Sequence, residues 1–276
     1  MENTNTQQKT LFFHVGLSKT GSTYVQNKFF HKLKGIRYIH TSKYFGYSKI
    51  IEDSREDKLL FSREFDRQFE REVSKIAEKY PYAKIIIVLR SNEHWIASQY
   101  RRYVKNGGYA SFDKFIDIKS DEGIWKIKDA YFYPNLLFIE KHFDNKPLVL
   151  FYEDLKNDPH AFFDKIIHFT GTRYDKKEIS LSSKHKSYSD KQLQFVKNIT
   201  QKLKINDHYK VSEEKMTWLR YRKRWLVLHL ALYLAKILPL KYKEELIPGN
   251  ILNEYKAFYK EDWDKCIGYA NKLKSS

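Results

Sequence analysis

Residues 14 to 26 read His-Val-Gly-Leu-Ser-Lys-Thr-Gly-Ser-Thr-Tyr-Val-Gln, a set of types and spacings from which an anion site can be built. Ahead of Gly16 stands the apolar run Leu11-Phe12-Phe13-His14-Val15, and after Gly21 residues 22–30 read as a helix with a hydroxyl N-cap. A loop between a buried strand and a helix brings backbone N–H groups and the positive end of the helix dipole to one point, where a phosphate-like group binds. Gly16 and Gly21 have the spacing of the nucleotide-kinase loop G-x-x-x-x-G-K-[ST]. The residue after Gly21 is Ser22, however, and the lysine stands earlier, at Lys19, so the kinase pattern fails at its catalytic position. A lysine inside the loop is suited to neutralising charge as a leaving phosphate departs.

A second constellation begins where the run Lys84–Leu89 ends at Arg90 and Ser98 follows eight residues later, inside a predicted helix. A guanidinium offers a phosphate a charge-assisted fork, and a hydroxyl adds one more short bond. Ser98, Arg101, Arg102 and Lys105 share one helical face and form a basic stripe. For Arg102 and Lys105 an ordinary solvated face is an equally weighted reading.

The segment from His14 to Gln26 resembles the 5'-phosphosulfate loop of sulfotransferases that use 3'-phosphoadenosine 5'-phosphosulfate (PAPS) as donor. The resemblance implies that Lys19, Thr20, Gly21, Ser22 and Thr23 hold the sulfated end of the cofactor, with Lys19 at the bridging oxygen. It likewise assigns Arg90 and Ser98 to the 3'-phosphate. Looser similarity covers 149–159 and Phe169-Thr170-Gly171, so that it spans about 11 to 171. The Arg-Lys-Gly segment with which cytosolic small-molecule sulfotransferases close over the cofactor is missing, which places the chain nearer the carbohydrate-directed or bacterial branches. Lys184, His185 and Lys186 are candidates for a replacement lid, with a solvated basic loop the weightier reading.

Transfer to a hydroxyl or amine needs a base for the acceptor proton. Leu59-Leu60-Phe61-Ser62-Arg63-Glu64 is similar to the family segment whose strand ends near a catalytic Glu or His, which makes Glu64 the first choice of base and His40 the second. Surface pairing of Glu64 with Arg63 or Arg67 competes equally. The resemblance implies PAPS as donor; the family's acceptors span sugars, lipids, peptides and small amines, and among these the basic charge favours a glycan or glycolipid. No metal is expected, since the ten histidines are scattered and a sulfuryl group carries less charge than a phosphoryl group.

These residues need a frame. Short runs with strand character occur at 11–15, 37–39, 59–62, 84–89 and 147–151, and helical patterns at 65–79, 94–106, 161–170, 190–204 and 214–237. The run at 85–89 is continuously apolar and β-branched, which suits a parallel strand covered on both faces. The fold class expected is α/β, a P-loop-like parallel sheet flanked by helices with a helical C-terminal part. As domains, the pattern predicts a flexible tail over 1–10 and a single domain over 11–276, its α/β core ending near 171 and its helical part covering 172–276.

The chain has 276 residues, 42% hydrophobic and 16% aromatic, enough for a sizeable core. Its net charge of +17 favours polyanionic partners without choosing among them. One cysteine, Cys266, excludes an internal disulfide and fits a reducing compartment, and residues 1–10 lack a signal peptide's apolar stretch. The expected location is cytoplasmic. Two rivals remain: a P-loop nucleotide or small-molecule kinase, and a nonenzymatic basic nucleic-acid-binding protein, although nothing resembles a known nucleic-acid module. Between 218 and 238 a basic and aromatic cluster precedes a strongly apolar helix. Packing of residues 226–238 onto the sheet or a partner is the preferred reading, and peripheral membrane contact through 218–238 the other.

Overall fold

The computed structural model describes residues 8–181, 187–205, 218–239, 241–242 and 244–275, without the side chains of 219–221 and 274–275. Lys184, His185 and Lys186 lie outside the described residues, as do residues 1–7 and 214–217. Among the described residues five strands form one parallel sheet: β1 (Thr10–Gly16), β2 (Arg37–Ile39), β3 (Lys58–Glu64), β4 (Lys84–Leu89) and β5 (Leu148–Phe151), in the order β2-β3-β1-β4-β5. All five coincide with the runs of strand character in the sequence. Parallel strands need crossover connections, and helices on both faces cover them.

The chain divides into two compact units. The first comprises Met1–Ser91, Tyr131–Ser183 and Glu261–Ser276 and holds the whole sheet. Strand alternation sorts its core. Phe12, Leu60, Ile86, Val88 and Leu150 face a cluster with Val25, Phe29, Phe30, Phe162, Phe163 and Ile166. The helical segment after the loop, α1 (Ser22–Tyr24) and its continuation, supplies Val25, Phe29 and Phe30 to this layer, and α8 (Pro159–Thr170) supplies the others. On the opposite face Phe13 stacks on Phe61 at 4.9 Å and meets Tyr47 edge-on at 5.6 Å. Tyr47 opens α2 (Tyr47–Asp53), and α3 (Phe69–Lys79) buries Phe69, Val73, Ile76 and Ala77. Asp262 accepts from the N–H groups of Phe132 and Tyr133 at 2.9 and 3.0 Å, and so ties the C-terminal helix to the start of another at Tyr133–His142.

In the second unit, Asn92–Ala130 with Lys184–Lys260, the elements among the described residues are helices. Its α4 (Asn92–Lys105) packs on α9 (Asp190–Lys202) and on a helix at Gly249–Phe258, and α9 packs on α10 (Trp218–Ile237). Buried Trp95, Tyr100, Tyr103, Phe112, Phe115 and Trp125 fill its interior. Ser189 and Gln192 form a capping box that sets the start of α9.

Local boundaries depart from the sequence pattern at two informative places. The helix expected from residue 65 begins at Phe69, because the Phe65 N–H donates to the Gly16 carbonyl at 2.8 Å and the next residue is committed to the loop. The helix after the loop has no hydroxyl cap: Gly21 occupies the cap position in the left-handed region, at φ 87°.

Candidate active site

The loop leaves β1 at the centre of the sheet, where the chain fills strand positions on one side and then crosses to the other. That is the topological switch point at which open α/β sheets bind ligands beyond their carboxyl ends. Two residues in the loop hold positive φ, Lys19 at 69° and Gly21 at 87°. For a lysine this conformation costs about 1–3 kcal/mol and persists only where surrounding contacts impose it. Those contacts are visible. Thr20, fully buried, donates its hydroxyl to the Leu17 carbonyl at 2.8 Å and lies 3.2 Å from the Ser22 hydroxyl. Asp66, just beyond β3, accepts from the Ser18 N–H at 2.9 Å and from its hydroxyl at 2.8 Å. The Lys19 carbonyl accepts from Arg90 Nη1 at 3.3 Å, while Lys19 itself is exposed.

At Gly21 two constraints coincide: besides the positive φ, a Cβ there would lie 2.9 Å from Leu155 and 3.0 Å from Tyr152. The loop backbone thus sits against the segment that follows β5. Tyr152 also lies under Arg90, with the guanidinium carbon 4.6 Å from the ring centroid, and Glu153 accepts from the Ser91 N–H at 3.2 Å. Arg90 is therefore oriented from two sides, by the loop carbonyl and by the aromatic face.

The register of β1 with β3 pairs Gly16 with Glu64, so the half-buried Glu64 carboxylate belongs to the strand end directly beside the start of the loop. By alternation it shares the face of Leu60 and Ser62, the same face as the loop helix. Arg63 points the other way, 3.5 Å from the Thr41 hydroxyl and over the Phe45 ring. His40 caps the turn Thr41–Gly46: it is exposed, and its Nδ1 accepts from the Ser42 N–H at 3.3 Å. Thr23 is exposed and Ser22 buried. Ser98 lies half-buried on α4, in the helical unit. On that helix Arg101 pairs with Asp190 and with the Tyr188 carbonyl, and Lys105 lies 5.8 Å from the Tyr188 ring, so both of these basic residues serve contacts inside their own unit.

Beneath the loop is a polar network that sequence reasoning left without a role. His14, fully buried, places Nδ1 2.7 Å from the Ser62 hydroxyl, to which Gln26 Nε2 donates at 2.9 Å. One strand residue before the loop, one on β3 and one on the loop helix are thereby pinned together. Burial lowers the His14 pKa to about 4 from its ordinary 6.5. Because the folded-state value is depressed, the unfolded chain binds the proton more tightly, and the neutral imidazole is a stability liability in acid. The loss begins as pH falls below 6.5 and is complete below about 4, where it amounts to on the order of 3 kcal/mol. Denaturant melts of the wild type and His14→Asn between pH 7 and pH 4 are expected to show a shallower pH dependence in the variant.

Asp66 and Tyr152 were also missed. Asp66 follows Glu64 by two residues with no local pattern around it, and Tyr152 stood within the looser similarity over 149–159. His14 and Gln26 were inside the loop motif, but nothing in the string tells that they share Ser62. Asp66→Ala is expected to lower stability by about 1–3 kcal/mol, since two hydrogen bonds to a carboxylate are lost together. Asp66→Asn, which retains an acceptor, is expected to lose less, with both read from thermal melting. Among the described residues no group of His, Cys, Asp and Glu side chains is arranged to hold a metal ion.

A parallel sheet, a glycine-flanked loop at its switch point, and a loop lysine with an arginine at the neighbouring strand end make a candidate anion site on an α/β fold. The model of the sulfotransferase domain matches residues 9–223, and the chain belongs to that family. Its activity class is sulfuryl transfer. Among solved structures, the chain is similar in fold to a sulfotransferase from Alicyclobacillus acidocaldarius, with a TM-score of 0.51 and 16% identity over 64% of this chain and 87% of that one. A mouse sulfotransferase, SULT7A1, solved in complex with PAP, aligns with a TM-score of 0.43 and 13% identity over 92% of this chain and 89% of that one. No curated protein sequence matches the chain.

Proposed function

We propose that the protein transfers the sulfuryl group of PAPS to a hydroxyl or amine of a glycan or glycolipid, without a metal. The observation that carries this reading is the joint placement of Lys19, Arg90 and Glu64: a strained loop lysine, an arginine bonded to that lysine's carbonyl, and a carboxylate in register with the first loop glycine. The loop's path is fixed at Gly21, where the backbone packs too closely on Leu155 and Tyr152 for any side chain, and backbone N–H groups of such a loop suit a phosphosulfate.

Bound PAPS supplies the sulfuryl group and a phosphate that leaves with the bonding electrons. The exposed Lys19 ammonium places a positive charge where that leaving oxygen's charge develops, and the N–H groups opening the loop helix add to it. Ser22 and Thr23 offer hydroxyls to the same end of the donor, while Thr20, tied to Leu17, shapes the loop. Arg90 and Ser98 are assigned the 3'-phosphate by the sequence resemblance. Glu64 is assigned the acceptor's proton, and His40, committed to its cap, is the second candidate.

Calorimetry with PAPS and its desulfated product, in the presence of a chelator, tests the donor, and mass spectrometry after incubation with glycans, glycolipids and small alcohols tests the acceptor. Binding of ATP only, and only with magnesium, would return the site to the kinase reading.

A further inference from the structure

The helix α10 divides cleanly between a face that the protein covers and one that it leaves bare. Leu228, Ala231, Leu232 and Ala235 are buried, and Gln192 of α9 donates to the Leu232 carbonyl at 3.0 Å. Around the other side, Leu226, Leu230, Tyr233 and Ile237 are 61%, 53%, 64% and 62% exposed. Their spacing of four, three and four residues puts them in one row, and Arg222, four residues before Leu226, heads it. Trp218 and Trp225 are also exposed, with the Arg222 guanidinium 4.8 Å above the Trp218 ring. A contiguous apolar row of this kind marks an interaction surface, whereas isolated exposed leucines do not.

The charge along the helix selects the partner. Between Trp218 and Ile237 there are five Lys and Arg residues and no Asp or Glu. Pairing with a second copy would set Arg222 and Lys223 against the same cluster if parallel, or against Lys236 if antiparallel, with no carboxylate on either helix to meet them. An anionic lipid surface satisfies both halves of the row: acyl chains receive the leucines, headgroups the basic residues, and tryptophan sits at the boundary between them. No helix among the described residues is long and apolar enough to cross a membrane. From these features we propose that the exposed face of α10 lies in the interface of an anionic membrane, with Leu226, Leu230, Tyr233 and Ile237 inserted and Arg222 and Lys223 on the headgroups. The proposal stands independently of the donor and acceptor assigned above.

Flotation of the full chain with phosphatidylcholine vesicles, with and without phosphatidylglycerol, tests it. Binding is expected to the anionic vesicles at low salt and to be lost at high salt. Each basic side chain near the surface contributes about fivefold to partitioning, so Arg222→Glu with Lys223→Glu is expected to weaken binding on the order of twentyfold or more. Leu226→Ser with Leu230→Ser is expected to weaken it as well, and since both side chains are exposed the melting temperature should hold. Absence of binding to anionic vesicles, or binding that neither pair of substitutions reduces, would overturn the proposal. So would a dimer in solution that Leu226→Ser with Leu230→Ser dissociates while vesicle binding is absent, which would assign the face to a second copy.

Discussion

Replacing Lys19 by alanine is expected to lower turnover by about a hundred- to a thousandfold, the loss seen when one preorganised stabiliser of developing charge is removed. Affinity for PAPS should change far less, because the ammonium acts where charge appears in the transition state rather than where it rests in the ground state. The backbone at position 19 sharpens this expectation. Alanine tolerates positive φ as poorly as lysine does, and Ser18, Thr20 and the Lys19 carbonyl keep the bonds that impose the loop's shape. The substitution thus removes the charge while leaving the cradle intact. Single-turnover rates and calorimetric affinities, measured on the same variant, separate the two effects. A variant with normal turnover, or one that loses affinity while its single-turnover rate is unchanged, would remove Lys19 from the transition state.

Arg90→Ala should weaken PAPS roughly ten- to a hundredfold, through the loss of charge-assisted hydrogen bonds to the 3'-phosphate. The discriminating measurement is the comparison with adenosine 5'-phosphosulfate, which lacks that group and should be affected much less. Arg90 also donates to the Lys19 carbonyl and stacks on Tyr152, so a purely structural effect on the loop would weaken both ligands alike. Arg90→Lys keeps the charge but not the planar fork, and is expected to fall between wild type and alanine. Equal weakening of the two ligands would move the 3'-phosphate away from Arg90.

Much of the candidate site was legible in the string because its parts are local. The loop motif lies within one stretch of the chain, and the apolar run before it, like the run that ends at Arg90, can hardly be anything but a buried strand. Strand positions were recoverable for the same reason: the five short runs of strand character became the five strands, and the most continuously apolar of them, at 84–89, is buried along nearly its whole length. The division of α10 was not legible. From Leu226 onward its residues are apolar nearly all round, so periodicity gives no preferred face, and the packing on α9 shows which leucines are covered and which are left in solvent.

The sequence by itself determined the family, the α/β class, the candidate anion loop and the exclusion of the kinase pattern, because each depends on residue types and spacings within a short window. Tertiary structure alone decided what those residues touch. The parallel register of β1 and β3 set Glu64 beside Gly16, and residues far apart in the chain became partners: His14 with Ser62, Ser18 with Asp66, Arg90 with Lys19 and Tyr152. A hydrogen bond between separated strands leaves no local trace, since either partner alone is an ordinary polar residue, and the pairing exists only once the hydrophobic core has chosen the order of the strands.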